Sequence, residues 1–326
     1  MEDVLILGAG ITGLSAGIGT KGKIYEARNM PGGICASYYV NSDGKEEFCR
    51  VSEESYRFEI GGGHWIFGTD NKTLDFIHAL SPVKRYERKS SVYFPELDLY
   101  VPYPIQNHLF YLPVEIKKKA LDEILKAETK GVSTLADWLE VNFGRTLCEL
   151  FFFPFHELYT AGLYKKIAPQ DKFKTPVNKD LIIQGAKEPP PAVGYNATFV
   201  YPEGGLDDLI RKMKERCEVD FNKRVVKINL KKNEVGFEDG SWIKYQSIVS
   251  TLPLNKMVDM AEIEMGTADP YTSVLVVNIG AQRGGKCPDD HWIYTPQNKS
   301  GFHRVGFYSN VDSSFLPASS RLTNDR

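Results

Sequence analysis

Three glycines close to the N-terminus have the spacing of a turn that approaches a phosphate group. Gly8, Gly10 and Gly13 follow the apolar run of residues 4–7 directly. Glycines permit a tight turn and bring the backbone close to a pyrophosphate, whose charge is then held by amides at a helix N-terminus. Glu26 lies at the end of the next predicted strand, where a carboxylate is needed to accept a ribose hydroxyl. The pattern predicts dinucleotide binding, and a turn without a ligand is the alternative.

Hydrophobic patterns predict the elements that position this turn. The apolar run at residues 4–7 indicates a short buried parallel strand, and Lys-Ile-Tyr-Glu at residues 23–26 indicates a second strand, with a short helix between them. Residues 114–128 have a helical period, and Thr134 with Asp137 forms a capping box at the start of another helix. Further strands are predicted at residues 224–228, 234–237, 248–251, 274–279 and 304–308.

This order of strands, helical insert and strands predicts an α/β fold with domains that are discontinuous in sequence. We expect residues 1–80 and 196–260 to form the dinucleotide-binding domain. Residues 81–195 and 261–326 are expected to form the substrate domain, from the helical insert and the last strands.

Several segments together resemble the flavin-containing amine oxidase and protoporphyrinogen oxidase superfamily. They are Glu-Ala-Arg-Asn-Met-Pro-Gly-Gly at residues 26–33, Glu-Ile-Gly-Gly-Gly-His-Trp-Ile-Phe-Gly at 59–68, Tyr-Pro-Glu-Gly-Gly-Leu at 201–206 and Ile-Val-Ser-Thr-Leu-Pro at 248–253. The resemblance implies FAD as cofactor, bound by a glutathione-reductase-like, Rossmann-type domain that is interleaved with an α+β substrate domain. It also implies that Arg28, Gly32 and Gly33 lie along the FAD.

The same resemblance assigns further residues. The loop of Gly61, Gly62 and Gly63 would lie near the flavin ring, and the backbone around Val225 would lie against the adenine. His64 could touch the flavin edge or an anionic substrate as a catalytic residue. The alternatives are a flexible glycine loop, an ordinary core strand and a structural histidine.

Other segments look like UDP-galactopyranose mutase, a flavoenzyme of related fold. They lie at residues 63–67, 143–145 and 152–162. In that family paired arginines hold the nucleotide diphosphate of the substrate, because two phosphate charges need fixed donors. Arg304 matches one of them, whereas Lys174 stands where the other is expected. The lysine argues against the mutase assignment.

A proline-rich segment at residues 101–108 lies where these families line the substrate cavity. There Tyr103, Gln106 and Asn107 could offer hydrogen bonds to a polar substrate, and a stiff structural loop is the alternative. The aromatic residues between 151 and 159 could wall an apolar pocket or belong to a helical core.

Composition excludes several functional classes. The 326 residues are 42% hydrophobic and 25% charged, and the net charge of −2 leaves no basic field for nucleic acid. The five cysteines are scattered without a Cys-x-x-Cys pair, and no histidine cluster predicts a metal. No apolar run reaches the roughly 18 residues of a membrane span. We expect a cytoplasmic protein with a small-molecule substrate, in an oligomeric state that the sequence leaves open.

The chain ends without the last cofactor segment of the families it resembles, so we expect the C-terminal part of the fold to be missing. Three functions follow as hypotheses. The first is an FAD-dependent oxidoreductase that takes a hydride from an organic substrate. The second is a flavin-dependent nucleotide-sugar mutase, and the third is a catalytically silent dinucleotide-binding protein.

Overall fold

The computed structural model describes residues 1–68, 70–127, 131–169, 177–190 and 197–321. Its strands are β1 (Glu2–Leu7), β2 (Lys23–Tyr25), β3 (Ser37–Val40), β4 (Glu46–Glu47), β5 (Tyr56–Glu59), β6 (Ile66–Phe67), β7 (Val83–Glu87), β8 (Ser90–Phe94), β9 (Leu99–Pro102), β10 (Thr198–Pro202), β11 (Val219–Asp220), β12 (Val225–Asn229), β13 (Glu234–Phe237), β14 (Trp242–Ser250), β15 (Trp292–Tyr294) and β16 (Arg304–Gly306).

The helices complete the element order. They are α1 (Ile11–Thr20), α2 (Asn71–His78), α3 (Val114–Lys126), α4 (Leu135–Leu147), α5 (Phe153–Tyr159), α6 (Lys179–Lys187), α7 (Leu206–Lys214), α8 (Leu254–Met260), α9 (Tyr308–Val311) and α10 (Ala318–Arg321). None of the helices described here is long and apolar enough to cross a membrane.

A six-stranded sheet forms around β1, in the order β11-β2-β1-β14-β13-β12. The apolar side chains of Leu5, Ile6 and Leu7 are fully buried, because layers cover both faces of this strand. The pairs β11-β2, β2-β1 and β1-β14 are parallel, so their carboxyl ends lie at one edge of the sheet. That edge places Gly8 beside Tyr25 and Thr251.

The helix after β1 is short, as the sequence predicts. It has 10 residues and ends at Lys21, which adopts a left-handed conformation with φ of 59°. Gly17 lets the helix pack onto the sheet, since a Cβ there would lie 2.7 Å from the Ile24 side chain. The short helix thus packs closely on β2 and ends at a left-handed residue, whose N–H donates to the carbonyl oxygen of Gly17.

Three smaller sheets carry the rest of the strands, in the orders β6-β10-β7, β16-β15-β8-β9 and β4-β3-β5. Helices α3 to α6 and the π-helical turn Cys148–Phe152 pack beside the β8-β9 hairpin in one core that includes Val92, Phe143 and Phe151. The predicted capping box is present, because Thr134 and Asp137 each accept a backbone N–H of the other. The helix predicted at residues 114–128 is present as α3, which ends at Lys126.

One predicted strand is wrong. Residues 274–279 form no strand, and Leu275 is 88% exposed. Their apolar side chains suggested a strand, but β structure needs a partner to take its backbone hydrogen bonds. None of the described strands pairs with this segment, which is anchored by Asn278 to the backbone of Glu59 over 3.1 Å.

Candidate functional site

The first glycine turn has the geometry that a phosphate requires. A Cβ on Gly13 would lie 1.8 Å from the carbonyl oxygen of Gly8, and Gly8 itself has φ of 98°. A Cβ on Gly10, in contrast, would meet no atom within 4 Å. Gly10 is also the N-cap of α1, and no side chain caps the amides of its first turn. The turn therefore presents uncapped N–H groups next to open space.

Glu26 holds this turn from the end of β2. Its carboxylate accepts the backbone N–H of Ala9 over 2.7 Å and that of Arg28 over 2.9 Å. Arg28 is exposed, and its carbonyl oxygen accepts the N–H of Asn222. This second contact brings the chain just before Val225 next to the end of β2, with Val225 partly buried. Residues on distant parts of the sequence thus meet at the carboxyl edge of the sheet.

Three glycine segments make up the site: the first contains Gly8, Gly10 and Gly13, the second Gly32 and Gly33, and the third Gly61, Gly62 and Gly63. Backbone hydrogen bonds join them into one surface. The N–H of Gly32 donates to Ala9 over 2.8 Å, and a Cβ on Gly33 would lie 3.4 Å from the Cα of Gly10. Two residues later, the carbonyl oxygen of Ile34 accepts the N–H of Gly61 over 3.0 Å. The structure therefore brings together all the glycines that the sequence singled out.

The third segment, the loop of Gly61, Gly62 and Gly63, follows β5 and carries His64. Gly62 has φ of 82°, a backbone conformation that favours glycine. Nδ1 of His64 lies 2.7 Å from the carbonyl oxygen of Gly62, so the imidazole folds back over the loop. A Cβ on Gly63 would approach the ring of Tyr308 to 3.0 Å. Sequence reasoning missed Tyr308, which no motif marks.

Arg304 is linked to this loop by Tyr308, which lies against Gly63. Its side chain is exposed on β16, and its charge acts on the hydroxyls of Tyr308 and of Tyr294 on the neighbouring strand. Burial raises the pKa of Tyr308 to about 12, so its phenol stays protonated at neutral pH. The ring of Tyr159 packs 5.2 Å from that of His303, the residue before Arg304. Tyr308 therefore borders the glycine loop, and the guanidinium of Arg304 lies close enough to act on its hydroxyl.

The aromatic residues of the helical insert divide between two roles. Phe151 and Phe152 are buried in the helical core, as one of the two alternatives predicted. The ring of Phe155 instead contacts Tyr294 at 5.4 Å and His303 at 5.8 Å, which places it at the edge towards β15 and β16.

The predicted substrate residues lie beside Tyr294, whose ring centroid is 4.7 Å from that of Tyr103. Tyr103 and Asn107 line a cavity of about 290 Å³, which Arg88, His108 and Asp290 also border. Burial lowers the pKa of His108. Gln106 is buried next to them, and its Oε1 has no hydrogen-bond partner among the described residues. No residue of the three glycine segments lines this cavity. Lys174 lies outside the described residues.

A buried acid beneath the glycine loop was also missed as a site residue. Glu59 is fully buried, and its carboxyl accepts the hydroxyl of Tyr201 and, more weakly, the N–H of His64 over 3.4 Å. Burial raises the pKa of Glu59 to about 7, against an ordinary value of 4.5. Its place two residues before Gly61 was the available signal, but only the fold shows what surrounds it.

Comparison with known proteins places these features in a family. The family model for flavin-containing amine oxidoreductases matches residues 9–295, which include Gly10 and all the later glycines of this site. The chain belongs to this family. Its cofactor is accordingly FAD, as the resemblance implied.

Solved structures agree with the family's fold. A reduced UDP-galactopyranose mutase matches with a TM-score of 0.79 at 20% identity, over 98% of this chain and 72% of that one. An oxidoreductase from Methanosarcina mazei matches with a TM-score of 0.58 at 13% identity, over 97% of this chain and 76% of that one. A protoporphyrinogen oxidase-like protein from Exiguobacterium gives 0.56 at 19% identity, over 79% and 61%. At these identities the similarity establishes a mixed α/β fold.

The residues present fit the cofactor of the family. A pyrophosphate needs uncapped amides and room at the backbone, and Gly10 provides both at the start of α1. Each carboxylate oxygen of Glu26 accepts one N–H and retains further acceptor capacity for a hydroxyl. No group of three or more His, Cys, Asp or Glu side chains in the described part of the chain could hold a metal ion.

Proposed function

We propose that this chain is an FAD-dependent oxidoreductase that removes a hydride from an organic substrate, like protoporphyrinogen and amine oxidases. The observation that carries the proposal is the continuous backbone surface of the three glycine segments, joined by hydrogen bonds of 2.8 and 3.0 Å. When bound, FAD supplies the hydride acceptor. The protein binds the cofactor, orients the substrate and excludes water.

In this proposal each segment holds one part of the cofactor. Gly8, Gly10 and Gly13 place the first amides of α1 against the pyrophosphate, where the helix dipole favours negative charge. Glu26 accepts a ribose hydroxyl, and the backbone around Val225 covers the adenine. Residues 1–80 and 196–260 form the cofactor domain, and the other residues form the substrate domain.

The loop of Gly61, Gly62 and Gly63 would face the flavin ring. A substrate that approaches the ring there meets the phenol of Tyr308 and the exposed guanidinium of Arg304. The neighbouring aromatic rings exclude water from one side, and Arg304 attracts a substrate with an anionic group. His64 lies over the loop, within reach of a ligand at the ring edge.

A nucleotide-sugar mutase is the second candidate, and two observations favour it. The mutase structure matches 98% of this chain with a TM-score of 0.79, whereas the protoporphyrinogen oxidase-like structure gives 0.56. In addition, the charges of both Arg88 and Arg304 act on the hydroxyl of Tyr294. Two arginines whose charges reach the same hydroxyl would suit a diphosphate.

The visible absorption spectrum tests the proposal first. Purified protein should carry FAD that dithionite reduces, and a substrate screened without added reductant should bleach it until oxygen or a quinone restores the colour. A mutase should act only after prior reduction and without net change in the flavin. A colourless protein that cannot be reconstituted would contradict both candidates.

Arg304→Ala separates the two candidates by affinity. For an oxidoreductase, binding of a nucleotide diphosphate sugar should be the same in wild type and variant. A loss of at least tenfold, about 1.4 kcal/mol, would favour the mutase. Arg85→Ala is the matched control, because Arg85 is exposed on β7 in another sheet.

A further inference from the structure

A cluster of polar side chains, four of them buried and one partly buried, lies beneath the loop of Gly61, Gly62 and Gly63. We call it the Glu59 cluster, and it consists of Tyr39, Arg57, Glu59, Tyr201 and Asp207. Glu59 and Tyr201 are fully buried, and Arg57 is 2% exposed. Such groups are costly to remove from water, so their arrangement calls for a physical explanation.

The cluster combines three strands and a helix that are distant in sequence. Arg57 and Glu59 are two residues apart on β5, so both side chains point to the same face. The hydroxyl of Tyr201 on β10 donates to Glu59, and that of Tyr39 on β3 donates to Asp207 at the start of α7.

Arg57 is the central cation of the cluster. Its guanidinium lies 3.9 Å from the ring centroid of Phe315 and donates to the carbonyl oxygen of Gly204 over 3.4 Å. Its Nε and Nη2 have no hydrogen-bond partner among the described residues, and neither has Oδ1 of Asp207. One buried cation thus faces two carboxyl groups, and the cluster is neutral when one of them holds a proton.

The proton belongs on Glu59. Asp207 lies in the first turn of α7, where the helix N-terminus favours a negative carboxylate. Glu59 has no such support and is fully buried, and this burial raises the pKa of its carboxyl to about 7.

Glu59 is linked to the loop through both its side chain and its backbone. Its carboxyl accepts the N–H of His64 over 3.4 Å, and its carbonyl oxygen accepts that of Gly62 over 3.3 Å. The two bonds bracket the loop from beneath. A change of charge at Glu59 therefore acts directly on the loop that our proposed function places against the flavin ring.

We propose that Glu59 is a positioning residue that holds the glycine loop against the flavin ring, and that its carboxyl, by gaining or losing a proton, adjusts the reduction potential of the bound FAD. This inference rests on the proposed binding of FAD at the loop. A carboxylate next to the ring opposes the negative charge that reduction adds, whereas a neutral carboxyl does not.

The other charged or titratable groups around Glu59 are the same in wild type and in Glu59→Gln. They are Arg57 on β5, Tyr39 on β3, Cys35 before it, His64 in the loop, Tyr201 on β10, Asp207 in α7, Arg304 on β16 and Tyr308 at the start of α9.

The test measures the midpoint potential of FAD-loaded protein from pH 5 to pH 9, in equilibrium with a reference dye. Glu59→Gln keeps the shape of the side chain but cannot ionise. The midpoint potential of Glu59→Gln should match that of wild type at pH 5. At pH 9 it should be higher by at least about 30 mV, which is a tenfold change in the two-electron reduction equilibrium. Glu46→Gln, the same change at an exposed position of β4, should follow wild type throughout.

Tyr201→Phe provides a second, independent variant. It removes a donor that favours the charged carboxylate, so the carboxyl should lose its proton at a higher pH. The fall in potential with rising pH that we assign to Glu59 should therefore occur at a higher pH in Tyr201→Phe than in wild type. A Glu59→Gln curve identical to that of wild type would overturn the proposal. Should Glu59→Gln fail to fold, a Tyr201→Phe curve identical to that of wild type would overturn it instead. Wild-type protein that binds no FAD would instead overturn the proposed function, and this inference with it.

Discussion

The first and third glycine segments are both tight turns, but different forces hold them. In the first, the close contact joins two residues that are five positions apart, because a Cβ on Gly13 would meet the carbonyl oxygen of Gly8. In the third, a Cβ on Gly61 or Gly63 would meet Ile34, Trp65 or Tyr308. Gly8 adds one distant contact to the first turn, since a Cβ there would lie 2.6 Å from the hydroxyl oxygen of Thr251. The contact of Gly13 is therefore specified by the turn's own residues, whereas the third turn depends on the segments that fold around it.

This difference predicts how substitutions act. A Cβ added at Gly13 meets a backbone carbonyl that cannot move away. Around the third turn, the neighbours are rings and a buried acid whose charge depends on pH. Four experiments test the contrast, from the largest expected effect to the smallest.

Gly13→Ala should have the largest effect. Its Cβ would lie 1.8 Å from the Gly8 carbonyl oxygen, so we expect a loss of about 3 kcal/mol or more in the free energy of unfolding, measured in urea. Gly19→Ala in the same helix meets no atom within 4 Å and should gain up to about 1 kcal/mol. Equal stability of the two variants would refute the backbone contact.

The pH dependence of stability should distinguish Glu59→Gln from wild type. Folding raises the pKa of this carboxyl from 4.5 to about 7, so its contribution is fully present below pH 4.5 and is lost as pH rises through 7. Relative to the glutamine variant, wild type should lose about 3 kcal/mol between pH 4.5 and pH 8. A difference that stays constant over this range in thermal or urea unfolding would show that Glu59 titrates normally.

Gly62→Ala tests backbone strain in the third turn. Its φ of 82° costs an alanine about 1–2 kcal/mol in unfolding free energy, although the nearest atoms would lie 3.5 Å from the new Cβ. Gly44→Ala is the control, because Gly44 has φ of 79° in an open, exposed turn. Both variants should lose similar stability, and only Gly62→Ala should weaken FAD retention on a desalting column. Equal retention would separate this loop from the cofactor.

Glu26→Gln should have the smallest effect. The amide can accept only one of the two N–H bonds that the carboxylate takes from Ala9 and Arg28, and it loses the charge. We expect the dissociation constant of FAD to rise about tenfold, equal to 1.4 kcal/mol, in a fluorescence titration. Glu218→Gln, an exposed residue near β11 that pairs with Lys23, is the control and should bind FAD like wild type. An unchanged constant for Glu26→Gln would remove its proposed contact with the ribose.

Sequence reasoning succeeded where the deciding contacts are short in range. The capping box of Thr134 and Asp137 spans three residues, and the structure contains it. The strand predicted at residues 274–279 failed because apolar side chains alone do not supply a neighbouring strand. Likewise, no pattern within a few residues could show that Tyr308 packs against Gly63, more than 240 positions earlier in the chain.

The sequence by itself determined the turn of Gly8, Gly10 and Gly13, the short helix behind it and the carboxylate of Glu26, because these depend on steric limits and on hydrogen bonds to nearby backbone. Only the tertiary structure decided that Glu59 is buried between Arg57 and Tyr201, and therefore that its carboxyl holds a proton near neutral pH. The physical reason is that desolvation depends on everything packed around a group, and packing joins elements that the sequence keeps apart.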